Sequence, residues 1–168
     1  SVMQRLLESG DIDLCITPAP IEGDDIEWRP LRKEEFYVVV PPEHRLAGRE
    51  SVSLIELKDE AFIGLHPGYW FRHLTDSLCR KAGFTPNTII EVDASDAVVL
   101  LFRRGLGITF IPDMSWRKRA HLMPHKLRIT DPGCEVTMGL AWSRSHYLSF
   151  AAKQFQRFVI EYYERLQS

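Results

Sequence analysis

Short runs rich in apolar residues alternate along this chain with segments in which apolar residues recur at helical spacing. The runs are typical of buried strands and lie at 13–17, 36–40, 61–64, 87–92, 107–112, 126–130 and 135–142. Helical spacing predicts helices over 69–82 and 96–104 and a last helix from about 150 onward. Strands that alternate with helices predict an α/β fold with mainly parallel sheets.

Polar residues indicate where some of these elements begin and end. The stretch RKEE, residues 32–35, predicts a turn between two extended runs. The second run, Phe36–Val40, is apolar throughout, as expected for a strand buried on both faces. Ser95 is expected to cap the helix that follows it.

The C-terminal segment gives the clearest helical pattern in the chain. Ser149 can cap this helix at its N-terminus. Its apolar residues form one stripe, of the kind that packs a surface helix onto a core. The stripe consists of Ala151, Phe155, Phe158, Val159, Tyr162 and Leu166.

Three loops follow strands directly and are the first places to expect a ligand. They are Thr17–Pro20, Leu65–Phe71 and Asp93–Ala97. In open α/β sheets, ligands bind outside the carboxyl ends of the strands, where helix N-termini point. The second and third loops lead into predicted helices, whose first backbone amides favour an anion.

The second loop carries the sequence HPGYWFRHL, residues 66–74, with three aromatic residues in a row. Pro67 and Gly68 predict a turn, and Tyr69 and Trp70 are the aromatics expected to face a ligand. Backbone amides beside aromatic walls suit a small carboxylate with an apolar portion. The alternative is that Trp70 and Phe71 pack in the core, and for Phe71 the helical spacing supports core packing equally well.

Composition excludes several classes of function. The 168 residues are 45% hydrophobic, enough for a core, and the net charge of −2 gives no basic excess for binding nucleic acid. No run of eighteen apolar residues is present, so no membrane span is predicted, and the opening residues SVMQRLLESGDIDL carry charges where a signal peptide would have its apolar core. The three cysteines are odd in number and far apart, which favours a reducing cytoplasm, and they lack metal-ligand spacing, so no metal site is predicted. No cofactor is expected either.

No residue pattern indicates catalysis. His66 and His73 are not spaced as a metal-ligand pair and are interpreted as structural or solvated. Asp93 and Asp96 are typical of a helix start. The GLGI sequence at 105–108 lacks the strand, glycine loop and helix order of a nucleotide site, so it is interpreted as a turn.

Four segments together resemble the effector-binding domain of LysR-type transcriptional regulators. They are LLESGDIDLCI at 6–16, EEFYVVVPPEHRLAGRESVSLIELKDEAFI at 34–63, RKAGFTP at 80–86 and EVDASDAVVLLFRRGLGITFIPD at 91–113. The resemblance implies two α/β lobes like those of type 2 periplasmic binding proteins. Residues 1–38 and 111–168 would form lobe 1, and residues 39–110 would form lobe 2.

The resemblance also implies where the effector binds and what the chain works with. A small metabolite would lie between the lobes, and the helix N-termini at the loops favour an anionic one. The residues that correspond to the pocket loops of the family are Thr17, Pro18, Pro67, Gly68, Tyr69, Trp70, Phe71, Ala94, Ser95 and Asp96. The intact regulator would be a homo-oligomer, a dimer or tetramer, and would touch DNA only through a helix-turn-helix domain that this sequence does not contain.

The sequence departs from the family pattern in two places. Pro18 stands where polar or charged residues are common, which puts effector contacts there in question. Lobe 1 is also expected to open with a strand, a helix and a second strand before the first residues of this sequence. The resemblance therefore implies a fragment whose lobe 1 lacks that opening.

Two other classes of function are compatible with a two-lobe fold. A solute-binding protein for transport shares the architecture, but the unpaired cysteines and the missing signal peptide argue against it. An enzyme on a similar scaffold would need a cluster of titratable groups with matched roles, and none emerges from the sequence.

Overall fold

The computed structural model describes residues 2–18, 21 and 23–167. The helices are α1 (Val2–Ser9), α2 (Trp70–Lys81), α3 (Ser95–Arg103), α4 (Asp113–Arg117) and α5 (Phe150–Gln167). The strands are β1 (Cys15–Pro18), β2 (Ile26–Val39), β3 (Ser51–Val52), β4 (Ala61–Leu65), β5 (Asn87–Val92), β6 (Thr109–Pro112), β7 (Lys126–Ile129) and β8 (Glu135–Ser143). A short 3₁₀ helix covers Leu54–Leu57.

The contacts within the chain group into two compact units. One combines the N-terminal part as far as Glu34 with the C-terminal part from Val136, and the other is Glu35–Glu135. The second unit extends past residue 110 because β6 and β7 both pair with β2. The lobe boundaries implied by the resemblance, 1–38 with 111–168 and 39–110, stay a prediction.

In the first unit, β1 pairs antiparallel with β8, in a register that sets Cys15 opposite Ala141. One small core gathers Leu7, Ile26 and Ala141, and another gathers Leu31, Leu140 and Val159. None of the helices in the described part of the chain combines the length and apolar character that crossing a bilayer requires.

Helix α5 begins as predicted but buries a different face. The Ser149 hydroxyl accepts a hydrogen bond from the Ala152 amide at 3.1 Å, which confirms the cap. Of the predicted apolar stripe, Val159 is buried, whereas Phe155, Phe158 and Tyr162 are about half exposed and stack on one another. The expectation that the whole stripe covers the core is wrong, because helical spacing identifies an apolar face without identifying what covers it.

In the second unit, β2 is the central strand. Phe36, Val38 and Val40 enter one core and Val39 enters another, which confirms burial on both faces. The predicted turn at RKEE is wrong, because β2 runs unbroken through it from Ile26 to Val39. A strand accommodates polar residues wherever one of its faces reaches solvent.

The sheets are mixed, so the expectation of mainly parallel sheets is wrong. β2 pairs antiparallel with both β6 and β7, and β1 pairs antiparallel with β8. Among the described residues, β3 pairs in parallel with β7 and β4 with β5, and Phe62 forms a parallel bridge with Ile108. Continuous apolar runs report that a strand is buried on both faces, but they do not report the direction of its neighbours.

Strand β4 lies beside the residue that leads into β6. The Ile63 amide donates to the Ile108 carbonyl and the Ile108 amide donates to the Ala61 carbonyl, each at 2.9 Å. Gly107 makes this approach possible, because a Cβ there would lie 2.5 Å from the Ala61 carbonyl oxygen. The GLGI sequence is therefore a structural turn, as interpreted, in which Gly107 allows two strands to meet.

Helices α2 and α3 pack on opposite faces of β4. Phe62 belongs to the core that includes Phe71 of α2, and the next residue, Ile63, belongs to the core that includes Val98 and Val99 of α3. Because side chains alternate along a strand, consecutive residues of β4 meet different helices.

Helix α5 provides a test of which of its faces is covered. Val159→Ala should lower the free energy of unfolding by about 2 kcal/mol, because it leaves unfilled space in a buried contact. Phe158→Ala, at the neighbouring position, should cost less than about 1 kcal/mol, since Phe158 is 58% exposed. Chemical denaturation of both variants beside the wild type measures these differences. A larger loss for Phe158→Ala would mean that the aromatic face is covered in solution.

Candidate functional site

A cavity of about 220 Å³ lies within the second unit, at the carboxyl end of β4. Residues 62–65 of β4 and 109–112 of β6 line it, together with Pro86 and Thr88 at the start of β5 and residues from the N-terminal parts of α2 and α3. β4 is hydrogen-bonded to the chain at Ile108, just before β6. Beyond this contact, β4 and β6 both line the cavity. This is the crevice expected at the carboxyl ends of parallel strands whose following helices pack on opposite faces.

The turn before α2 is held by His66. Its Nδ1 accepts a hydrogen bond from the Gly68 amide at 3.1 Å, and its carbonyl accepts one from the Tyr69 amide at 3.0 Å. Pro67 and Gly68 complete this turn and are exposed. The structural interpretation of His66 is confirmed, and the turn presents the first residues of α2 to the cavity.

Tyr69, Trp70 and Phe71 all line the cavity. Tyr69 and Trp70 are partly exposed, whereas Phe71 is 8% exposed and packs edge-on against Phe36 at 5.4 Å between ring centroids. Trp70 meets Phe71 in a similar edge contact at 5.5 Å. The sequence left open whether Trp70 and Phe71 pack in the core or face a ligand. Phe71 packs in the core and also forms part of the cavity wall, whereas Trp70 lines the cavity and is partly exposed.

The loop before α3 is joined to this aromatic turn. The Tyr69 hydroxyl donates to the Asp93 carbonyl at 2.7 Å, and the His66 amide donates to the Val92 carbonyl at 2.9 Å. Because β4 and β5 are parallel neighbours, their carboxyl ends lie side by side. The structure thus brings two of the three predicted loops together.

Ala94, Ser95 and Asp96 surround the start of α3. Ala94 is the N-cap and Ser95 the first helical residue, so the prediction that Ser95 caps the helix is wrong. Ser95 lines the cavity instead. Asp96 is exposed, and its Oδ1 accepts a hydrogen bond from Arg119 at 2.7 Å.

Two arginines of the cavity wall were not among the candidates from the sequence. Arg72 bonds Asp76, one turn further along α2, and also Leu65 and Glu91 on the neighbouring strands. The spacing of Arg72 and Asp76 is visible in the sequence. No local pattern could have linked Arg119 to Asp96, which precedes it by 23 positions.

Thr17 and Pro18 end β1 in the first unit. The Thr17 hydroxyl donates to the Pro18 carbonyl at 3.4 Å, and both residues are partly buried. Ala19 and Pro20, the rest of that predicted loop, lie outside the described residues. A role for Thr17 and Pro18 in effector binding stays a prediction.

Comparison with known proteins assigns the chain to a family. The LysR substrate binding domain matches residues 1–164. The HTH-type transcriptional regulator YybE of Bacillus subtilis is 36% identical over 157 residues, which are 94% of this chain and 53% of that protein. The Bacillus subtilis dual regulator GltC is 30% identical over 158 residues, with the same coverage of 94% and 53%. This chain belongs to the LysR substrate-binding domain family.

The solved structures agree with this assignment. The effector-binding domain of QuiR, in complex with shikimate, superposes with a TM-score of 0.81 at 30% identity. The match covers 98% of this chain and 78% of the QuiR domain. The type 2 periplasmic-binding-protein-like fold implied by the resemblance is therefore confirmed, and the chain spans about half the length of the curated regulators it matches.

The thiols of this LysR substrate-binding domain are shielded. Burial raises the pKa of Cys79 to about 12, with a contribution from the nearby charge of Asp76. Burial also raises the pKa of Cys134 to about 11 and that of Cys15 above its usual value. Cys79 and Cys134 are buried, whereas Cys15 is only partly buried. No cluster of potential metal ligands occurs among the residues that the structure describes.

The raised pKa values predict slow thiol chemistry in the folded domain. The thiolate is the reactive form, so at pH 8 Cys79 and Cys134 should react with a disulfide reagent such as DTNB only as fast as the chain unfolds. Adding denaturant should release both thiols at once. Prompt reaction of Cys79 or Cys134 in the folded protein would contradict their burial.

The same shifts predict a loss of stability at alkaline pH. A thiol with a raised pKa in the folded state contributes its full stabilisation below the ordinary pKa of about 9, and the contribution falls as pH rises towards the folded value. Cys79→Ala should therefore show a shallower fall in the free energy of unfolding between pH 9 and 11 than the wild type. If the free energy of unfolding falls equally steeply in both proteins, the raised pKa of Cys79 is contradicted.

Proposed function

We propose that this chain is the effector-binding part of a bacterial LysR-type transcriptional regulator. A small anionic metabolite would bind in the crevice at the carboxyl end of β4 and change how the full-length protein binds DNA. Two curated relatives that support this reading are transcriptional regulators. They favour a regulator over the alternative of a type 2 solute-binding protein for transport.

The observation that supports this proposal most directly is the combination of residues that line the crevice. Its walls are mostly apolar, with Trp70, Phe71 and Phe110 among the lining residues, and two arginine side chains reach the same space. Apolar walls with a few polar groups are typical of small-molecule sites. A compact carboxylate with a ring or an apolar portion matches this combination, and the shikimate of the QuiR complex is a ligand of that class.

The remaining parts of the proposal concern the intact regulator. Thr17 and Pro18, at the end of β1, would be further effector-binding residues, as the family resemblance implies. The intact protein would act in the cytoplasm as a homo-oligomer and would contact DNA through a helix-turn-helix domain outside this sequence. The domain would catalyse no reaction. An effector needs to favour one arrangement of the protein by only a few kcal/mol to change its output.

A ligand screen with one pocket variant tests this function. Carboxylates, amino acids and aromatic acids, shikimate among them, should include compounds that raise the unfolding temperature by mass action. Trp70→Ala should abolish the shift for those compounds, because the indole lines the cavity, and should leave the fold intact, because the side chain is partly exposed. Tyr147→Ala, at an aromatic residue that is 83% exposed, is the matched control and should keep the shift.

Failure of every compound to stabilise the wild type would contradict an anionic effector. Stabilisation that survives Trp70→Ala unchanged would instead show that the aromatic turn is not part of the binding site.

A further inference from the structure

The two arginines that line the crevice are held very differently. Arg72 is 12% exposed, and its Nε lies 2.9 Å from both carboxylate oxygens of Asp76. Its Nη1 donates to the Leu65 carbonyl at 2.9 Å and to Glu91 at 3.0 Å. Taking Arg72 away from these groups would leave a largely buried carboxylate and a carbonyl without their donor, so its role is to join α2 to the sheet.

Arg119 has a weaker hold on its neighbours. Its Nη2 donates to Asp96 Oδ1 at 2.7 Å and lies 3.4 Å from the Ser95 hydroxyl, and its Nη1 donates to the Ser115 carbonyl at 3.3 Å. The Asp96 side chain is 86% exposed, whereas that of Arg119 is 22% exposed. Exposed ion pairs contribute little free energy, so water can replace Arg119 as the partner of Asp96 at small cost.

The segment that carries Arg119 is fixed independently of this ion pair. The Trp116 indole Nε1 donates to the Met123 carbonyl at 3.0 Å, and the Arg119 amide donates to the Trp116 carbonyl at 2.8 Å. Lys126 Nζ lies over the Trp116 ring, 3.7 Å from its centroid. The backbone thus presents the guanidinium to the cavity without further ordering, and pre-organisation of this kind favours tight binding.

We infer that Arg119 is the residue that binds the carboxylate of the effector, and that Asp96 occupies the guanidinium until the effector displaces it. This inference rests on the proposed function of the crevice. It specifies the ligand as a monocarboxylate with a compact ring, whose acid group meets Arg119 near Ser95 and whose ring meets the aromatic wall at Trp70 and Phe71. A guanidinium presents paired N–H donors that match the two oxygens of a carboxylate.

Titration calorimetry with shikimate, benzoate and cyclohexanecarboxylate tests the inference, with benzamide as a neutral analogue of benzoate. Arg119→Gln should weaken the binding of these acids roughly tenfold or more, because charge-assisted hydrogen bonds are lost, and should leave benzamide binding nearly unchanged. Asp96→Asn should strengthen the binding of the acids by about threefold, because the carboxylate that competes for Arg119 is removed. Arg119→Lys should recover only part of the affinity, since an ammonium cannot bind both oxygens in one plane.

Arg117→Gln is the matched control. Arg117 lies on the same segment and also pairs with a carboxylate, that of Asp113 at 2.6 Å, but it does not line the cavity. This variant should bind the acids as the wild type does. Thermal unfolding of each variant without ligand separates weakened binding from a damaged fold.

The possible outcomes distinguish this inference from the proposed function. If the acids bind the wild type, lose affinity with Trp70→Ala and bind Arg119→Gln equally well, the crevice is the site and the role of Arg119 is wrong. If Asp96→Asn weakens the binding of the acids as much as Arg119→Gln does, Asp96 holds Arg119 in place for the ligand. The inference that the effector displaces Asp96 is then wrong. If none of the acids binds the wild type, the proposed carboxylate effector fails and this inference fails with it.

Discussion

The crevice depends on one close backbone approach, between Gly107 and the Ala61 carbonyl at the start of β4. The approach lets Ile108 exchange hydrogen bonds with Ala61 and Ile63, which fixes β4 beside the chain that enters β6. β6 then pairs with β2. The cavity lies where β4 and β6 flank a common space, so any side chain at position 107 would disturb the wall of the site together with the sheet.

The site is built from residues that also stabilise the fold. Phe71 packs on Phe36 in the core and forms part of the cavity wall. Tyr69 ties the turn before α2 to the loop before α3 through the Asp93 carbonyl. A wall held by core contacts and backbone hydrogen bonds can select a ligand by shape, because it does not need to be ordered when the ligand arrives. The ion pair between Arg119 and Asp96 is different. Its carboxylate is exposed, so another partner can replace it at small cost in free energy.

Much of this arrangement could be predicted from the sequence, since the order of strands and helices and two of the loops at the site follow from periodicity and turn residues. The direction of the strands could not, because the apolar run at Phe36–Val40 records burial and is the same for parallel and antiparallel neighbours. The covered face of α5 could not either, since Phe158 and Val159 are equally apolar to a periodicity argument. Arg119 escaped prediction because its partner Asp96 is near only in the folded chain.

The most direct test of the account is a chemical-shift map of the backbone amides as a binding carboxylate is titrated into the ¹⁵N-labelled domain. Binding at the crevice predicts that the largest changes fall on three stretches that the structure brings together: 68–72, 94–99 and 109–112. Saturable changes concentrated on the aromatic face of α5, or spread evenly over both units, would contradict a ligand site at the carboxyl end of β4.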